Sequence, residues 1–265
     1  MHNSKYGNIY YQLRGREKAP VIAFIHGVGM NHKTFNEQVK ALEADFRILL
    51  WDLPGHGDST FTGTEQNFTS MAADCLKELL DELDIESVFI VGQSLGSMVA
   101  QHFQIKYPSH VLATVHVPGI ELTSHVGSWS KAFVPLMMGM FHLFPAKPFY
   151  RMFGKHRSVK KDVQEYLSQS IEITGKNLAL RITKDMVNDL IDHNPRPELR
   201  PQLITYGEKD LFFIRKGAEK WHKKTPGSKC IKIENANHIA NQDNPEKFNE
   251  AVKTFLFEHT NSGSN

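Results

Sequence analysis

Short runs of consecutive apolar residues alternate along this chain with longer stretches in which apolar residues return every three or four positions. The runs are Pro20–Ile25, Phe46–Trp51, Ser87–Val91, Val111–Val117, Gln202–Tyr206 and Lys229–Ile233. Their length and β-branched content are those of strands, and the ones without polar alternation read as buried on both faces. Asn8–Gln12 reads as a further short strand, ahead of a turn at Gly15-Arg16-Glu17-Lys18. Between the runs, Phe35, Val39 and Leu42 share one helical face after an opening at Asn31 or His32. Met71, Cys75, Leu79 and Leu83 share another, with Thr69 as its candidate cap. Ser97–Tyr107, Ile214–Lys224 and Pro245–Glu258 complete the helical set. Strands alternating with helices predict right-handed crossovers and a mostly parallel central sheet flanked by helices on both faces, an α/β fold.

The rhythm breaks at Pro118. Up to about Arg200 no strand pattern is found, and the helical candidates are Val126–His142, Val159–Ile173 and Asn177–His193. The pattern therefore predicts an α/β core of residues 1–117 and 200–260, with residues 118–199 inserted as a helical cap. Residues 261–265, Asn-Ser-Gly-Ser-Asn, read as a disordered tail.

Composition narrows the function classes. A chain of 265 residues suits one large domain carrying an insertion, and 40% hydrophobic content supplies a sizeable core. A formal charge of +2, without a basic stripe interleaved with aromatics, argues against nucleic acid as a partner. The start of the chain has no apolar signal core and no run is long enough to span a bilayer, so the expectation is a soluble cytoplasmic protein without stable membrane insertion. Cys75 and Cys230 have no metal-type spacing and read as buried free thiols. No zinc or nucleotide motif is present, so neither cofactor nor metal is expected, and the expected partner is a small-molecule substrate.

The candidate chemistry centres on Gly92-Gln93-Ser94-Leu95-Gly96. With glycine near 7% of residues, three fixed positions of this kind arise by chance in roughly one chain in ten of this length. The motif gains weight from its setting, a strand before it and a helix after it. A Gly-x-Ser-x-Gly turn there forms a nucleophile elbow, which lifts the serine hydroxyl to the carboxyl end of the strand, over the start of a helix.

With these features in order, the chain resembles the α/β-hydrolase fold family, in its serine-nucleophile branch with a helical cap, over nearly everything outside residues 118–199. The resemblance implies a triad in the order serine, acid, histidine. Asp210 follows the strand ending at Tyr206, and His238 follows the next strand and precedes the closing helix, the positions where the family places its acid and base. Glu121, after the preceding strand, is the position some members use for the acid. The residue types fit the chemistry: a serine hydroxyl is weakly nucleophilic at neutral pH and needs an imidazole to take its proton, and a carboxylate orients that imidazole. The resemblance also implies an oxyanion hole from the backbone N–H groups of Val28, after His26-Gly27, and of Leu95. His26 then shapes its loop, His56 belongs to a structural turn, and Asp52 orders its own loop.

The expected activity is hydrolysis of carboxylic esters, or of lactones or thioesters, through an acyl-serine. Related members with the same triad cleave carbon–carbon bonds or carry out perhydrolysis, and others serve as ligand receptors with little turnover. The Met- and Phe-rich stretch from Trp129 to Phe153 serves core packing, pocket lining or both, and its candidates for substrate binding are Trp129, Phe133, Met137 and Phe141. The basic cluster Arg151, Lys155, Arg157, Lys160 and Lys161 reads as a solvated helix face, with contact to anionic lipid as its alternative.

Overall fold

The structure, a computed structural model, describes residues 1–63, 67–122, 139–192 and 200–260. Strands β1 (His2–Ser4) and β2 (Gly7–Ile9) form a small antiparallel hairpin. Seven further strands form one sheet: β3 (Tyr11–Gly15), β4 (Val21–Ile25), β5 (Arg47–Trp51), β6 (Val88–Gln93), β7 (Val111–Val117), β8 (Gln202–Gly207) and β9 (Lys229–Ile233). Their order is β3-β5-β4-β6-β7-β8-β9, antiparallel at β3–β5 and parallel in every pairing from β5 to β9. Asn8–Gln12 is not one strand, as the pattern predicts, because the chain breaks at Tyr10. There the Tyr10 N–H donates to Ser59 Oγ and its carbonyl accepts from the Asp52 N–H.

Because the side-chain period of a strand is two, each central strand feeds both faces. Val21, Ala23, Ile25, Val88 and Ile90 pack toward helices α2 (Phe68–Glu82) and α3 (Leu95–Lys106). Ile22, Phe24, Phe89 and Val91 pack toward α1 (Asn36–Leu42) and the final helix, α9 (Pro245–Thr260). Parallel pairing puts the carboxyl ends of β4, β6, β8 and β9 along one edge, where the four loops that carry the candidate chemistry emerge.

Between β7 and β8 lie α4 (Ala146–Lys155), α5 (Lys161–Thr174) and α6 (Lys176–Asp192), and no strand occurs among the described residues of that stretch. The predicted helix Val126–His142 lies outside the described residues up to 138, as does the predicted tail at 261–265. Apolar side chains of this insertion, among them Phe153, Leu167, Ile171 and Ile182, join the same cluster as α2 and α3. Two further helices are α7 (Phe212–Lys224) and the short α8 (Ala240–Asp243). None of the described helices is long and apolar enough to cross a membrane.

Polar contacts fasten the insertion to the core. Asp189 of α6 accepts from Thr69 Oγ1 of α2 and pairs with His102 Nε2 of α3, each at 2.6 Å, and all three side chains are buried. Thr69 does not cap α2, contrary to the sequence pattern, because the helix begins one residue earlier, at Phe68, and Thr69 lies within its first turn. Asn67 does so instead, accepting from the Ser70 N–H with its own backbone in the left-handed region. Removing an acceptor shared by two short buried contacts is costly. Asp189→Ala is expected to lower the unfolding free energy by about 2–4 kcal/mol, read as a lower midpoint in urea or guanidinium denaturation.

Candidate active site

The elbow begins with two missing side chains. A Cβ on Gly92 would lie 2.3 Å from the Gly96 carbonyl oxygen, and one on Gly96 would lie 2.0 Å from that of Ile25. With glycine at both places, β6 turns into α3 within one residue, and Ser94 takes φ 53°, ψ −109°. This is left-handed backbone that a non-glycine residue holds only under compulsion. The compulsion is visible: the Ser94 N–H donates to the Val117 carbonyl at 2.8 Å, and the Ser97 N–H donates to the Ser94 carbonyl at 2.9 Å.

The acid and the histidine come from two neighbouring loops that are bonded to each other. After β8, the N–H groups of Glu208 and Lys209 donate to the carbonyls of Ile233 and Ala236. Gly207 is required where these loops meet, since its Cβ would lie 2.1 Å from the Asn237 carbonyl oxygen. Asp210 is buried; its Oδ1 accepts from the Leu211 N–H at 2.7 Å and its Oδ2 lies 3.0 Å from His238 Nδ1. His238 Nε2 lies 3.2 Å from Ser94 Oγ. The structure thus brings Ser94, His238 and Asp210 together across 144 positions between the first two. Glu121 is elsewhere, its carboxylate 3.4 Å from Lys224 Nζ.

The N–H groups of Val28 and Leu95 donate to no acceptor among the described residues. Leu95 N–H is the first of α3, where the positive end of the helix dipole adds to its pull on an anion. Gly29 in the first loop has φ 68°, and a Cβ there would lie 2.7 Å from Ile171 of α5, so the insertion packs directly onto this loop. Tyr166 of α5 reinforces the contact, donating to Asn31 Oδ1 at 3.0 Å. Around it, His26 Nδ1 lies 2.8 Å from the Gly27 carbonyl while its Nε2 accepts from the Leu53 N–H, which fixes a neutral imidazole. Burial lowers its pKa against the attraction of Asp52. Burial alone would raise the Asp52 carboxyl, but the hydrogen bond with His32 and further N–H donors outweigh it and hold it below the ordinary range.

Of the expected substrate contacts, Trp129, Phe133 and Met137 lie outside the described residues. Phe141 is partly buried and its ring lies 6.1 Å from that of Phe149 of α4. Asp243, in α8, is a residue that the sequence pattern did not single out. Its carboxylate accepts from the Asn237 N–H at 2.8 Å, next to His238, and from Ser158 Oγ and the Val159 N–H of the insertion. In sequence it reads as an ordinary polar residue just before the last helix, and only its neighbour Pro245 hints that a separate turn precedes it.

The family model for the alpha/beta hydrolase fold matches residues 20–245. Among relatives, the chain is 24% identical over 242 residues to (E)-2-((N-methylformamido)methylene)succinate hydrolase of Acinetobacter baylyi, covering 89% of each protein. It is 23% identical over 249 residues to pimeloyl-[acyl-carrier protein] methyl ester esterase of Aeromonas hydrophila, covering 90% of this chain and 96% of that one. Among solved structures, an esterase from Exiguobacterium antarcticum superposes with a TM-score of 0.80 at 20% identity, over 94% of this chain and 96% of that one. The chain belongs to the α/β-hydrolase fold family.

The sealed histidines make a pH prediction. Burial holds His56, in the turn after β5, and His116, in β7, at about 3, against about 6.5 in an unfolded chain. Below pH 6.5 the unfolded state therefore binds protons that the folded state refuses, so stability rises with pH across this window and is lost as pH falls toward 3. Each group contributes a slope of up to about 1.4 kcal/mol per pH unit. Urea denaturation at intervals from pH 7.5 to 5 is expected to show a falling midpoint, with a slope about one proton shallower in His116→Gln.

Proposed function

We propose that this member of the α/β-hydrolase fold family is a serine hydrolase that cleaves carboxylic esters, with lactones or thioesters as related acyl substrates, through an acyl-serine intermediate. The observation that carries this reading is the single imidazole of His238 standing between the Ser94 hydroxyl, at 3.2 Å, and the Asp210 carboxylate, at 3.0 Å. Names among the relatives, an ester-cleaving enzyme and a hydrolase of an amide-bearing succinate, agree with acyl chemistry.

In this reading His238 Nε2 takes the proton as Ser94 Oγ attacks the acyl carbon. The Val28 and Leu95 N–H groups receive the developing oxyanion, contacts that strengthen as charge builds and so lower the barrier rather than merely bind substrate. The imidazolium, stabilised by Asp210, returns its proton to the departing alcohol. Water, deprotonated by the same imidazole, then attacks the acyl-serine, and collapse releases the acid and regenerates the hydroxyl. The backbone strain at Ser94 serves this sequence by holding Oγ out of the helix that follows. An apolar acyl or alcohol portion would lie against the insertion, whose described inner face carries aliphatic and aromatic side chains. A reducing cytoplasmic setting suits the free thiols of Cys75 and Cys230.

The purified protein is expected to hydrolyse p-nitrophenyl esters, with rates that rise as the acyl chain lengthens beyond acetate. A fluorophosphonate probe should label Ser94, and Ser94→Ala and His238→Ala should each lower kcat by about 10³-fold or more without unfolding the chain. Wild-type activity in the Ser94→Ala protein, or labelling at another residue, would refute the assignment. Tight binding of a small molecule with negligible turnover would favour a receptor instead.

A further inference from the structure

Arg157 stands apart from its basic neighbours. Arg151, Lys155 and Lys161 are exposed, as expected of a solvated face, and Lys160 Nζ donates to the Gln242 carbonyl. The Arg157 guanidinium is instead folded back into the protein. It lies over the Phe153 ring, 3.6 Å from Cζ to the ring centre, and Nη1 donates to the Phe153 carbonyl at 3.0 Å, near the end of α4. Among the described residues it has no carboxylate at ion-pair distance. Its remaining guanidinium nitrogens donate to no acceptor there, yet they are not sealed from solvent.

The turn that carries Arg157 is hung on both sides of His238. Asn237 Nδ2 donates to the His156 carbonyl at 3.2 Å, and the Ile239 N–H donates to the Arg157 carbonyl at 3.1 Å. The next two residues, Ser158 and Val159, bond to Asp243. Burial pulls the guanidinium down to about 10, while the attraction of Asp210 works the other way. A partly buried cation with no carboxylate at ion-pair distance is a costly arrangement. An arginine whose plane is fixed by an aromatic ring and one carbonyl, with other N–H groups open, is pre-organised for a planar anion.

We propose that Arg157 anchors a carboxylate on the substrate, at the end remote from the ester that is cleaved, so that half-esters of dicarboxylic acids are the preferred class. This rests on the acyl-serine reading and adds the chemistry of the acyl group to it: an aliphatic segment lies between the scissile ester and an anionic terminus. Low polarity around the guanidinium strengthens its hold on such a group relative to water.

The test compares monomethyl with dimethyl esters of the same diacids, succinate through suberate, in wild-type protein, Arg157→Gln and Arg157→Lys. Wild type is expected to favour the monoanion of at least one diacid in kcat/KM, chiefly through KM. Arg157→Gln should lower that monoanion-to-diester ratio by about 10- to 100-fold, as expected for loss of a hydrogen-bonded charge. Arg157→Lys, which keeps the charge but not the fork, should lower it less, and it serves alone if the glutamine variant does not fold. A ratio that stays within about twofold in the variants would overturn the proposal, because a purely structural arginine changes both esters alike. Titration of Ser94→Ala protein with adipate and the other diacid anions, with and without Arg157→Gln, decides the matter independently of turnover. Binding that needs Arg157 supports the anchor, and binding that ignores it, or no binding at all, overturns it. Failure of wild type to hydrolyse any ester would count against the acyl-serine reading while leaving that titration to judge Arg157.

Discussion

Ser94 can hold its left-handed backbone because the chain on either side comes close enough to its neighbours to exclude any side chain. At Gly96 the neighbour is the carbonyl of Ile25, at the end of β4, so the helix that follows Ser94 is seated against the adjacent strand. At Gly92 it is the first turn of that same helix. Strain of this sort costs about 1–3 kcal/mol and persists only where the surroundings over-determine it. Here a sheet of parallel strands buried on both faces does so, and the Val117 carbonyl fixes the Ser94 N–H from the other flank. The position of one hydroxyl is thus a property of three adjacent strands rather than of a loop.

Histidine and acid are placed by a different device. Their loops emerge from β8 and β9, which are neighbours in the sheet, and backbone hydrogen bonds join the two loops before either side chain is reached. Asp210 then holds the ring of His238 while Asp243 holds the backbone just before it. The Asp243 carboxylate also binds Ser158 and Val159, so the insertion between β7 and β8 and the histidine loop share one anchor. On the other side, α5 rests on the Val28 loop through Ile171 and Tyr166. The insertion therefore touches both the loop offering N–H groups and the loop offering the imidazole, and its packing bears on the geometry of each.

The strands are legible as short apolar runs and the elbow as a motif between one of them and a helix, whereas Asp210 and His238 are legible through the family resemblance, which puts them just after two of those runs; parallel pairing converts these places into proximity. The break at Tyr10 is not legible, since it depends on Ser59 and Asp52, some forty or more positions away. Helix α4 is hidden by Pro145 and Pro148, which look like breakers; Pro148 falls in the first turn, where an N–H has no partner to lose. Arg157 and Asp243 escape for the same reason as each other. A charged residue among other polar or charged residues has no periodicity to betray that it is turned inward, and the partners that turn it are contributed by other elements.

A carboxylate beside a histidine does not by itself mark a reactive site in this protein. His2 is paired with Glu82, His32 with Asp52 and His102 with Asp189, as His238 is with Asp210. In the His102 pair a hydroxyl is present as well, but Thr69 donates it to the carboxylate. There the serine-like group satisfies the acid and the arrangement is a fastening. At His238 the order is reversed: the carboxylate takes one ring nitrogen and the other faces the Ser94 oxygen. A proton leaving that oxygen has an acceptor in place, and the charge it creates on the ring has a counter-charge in place. What separates the two clusters is which atom the hydroxyl meets, and at Ser94 the strained elbow decides that.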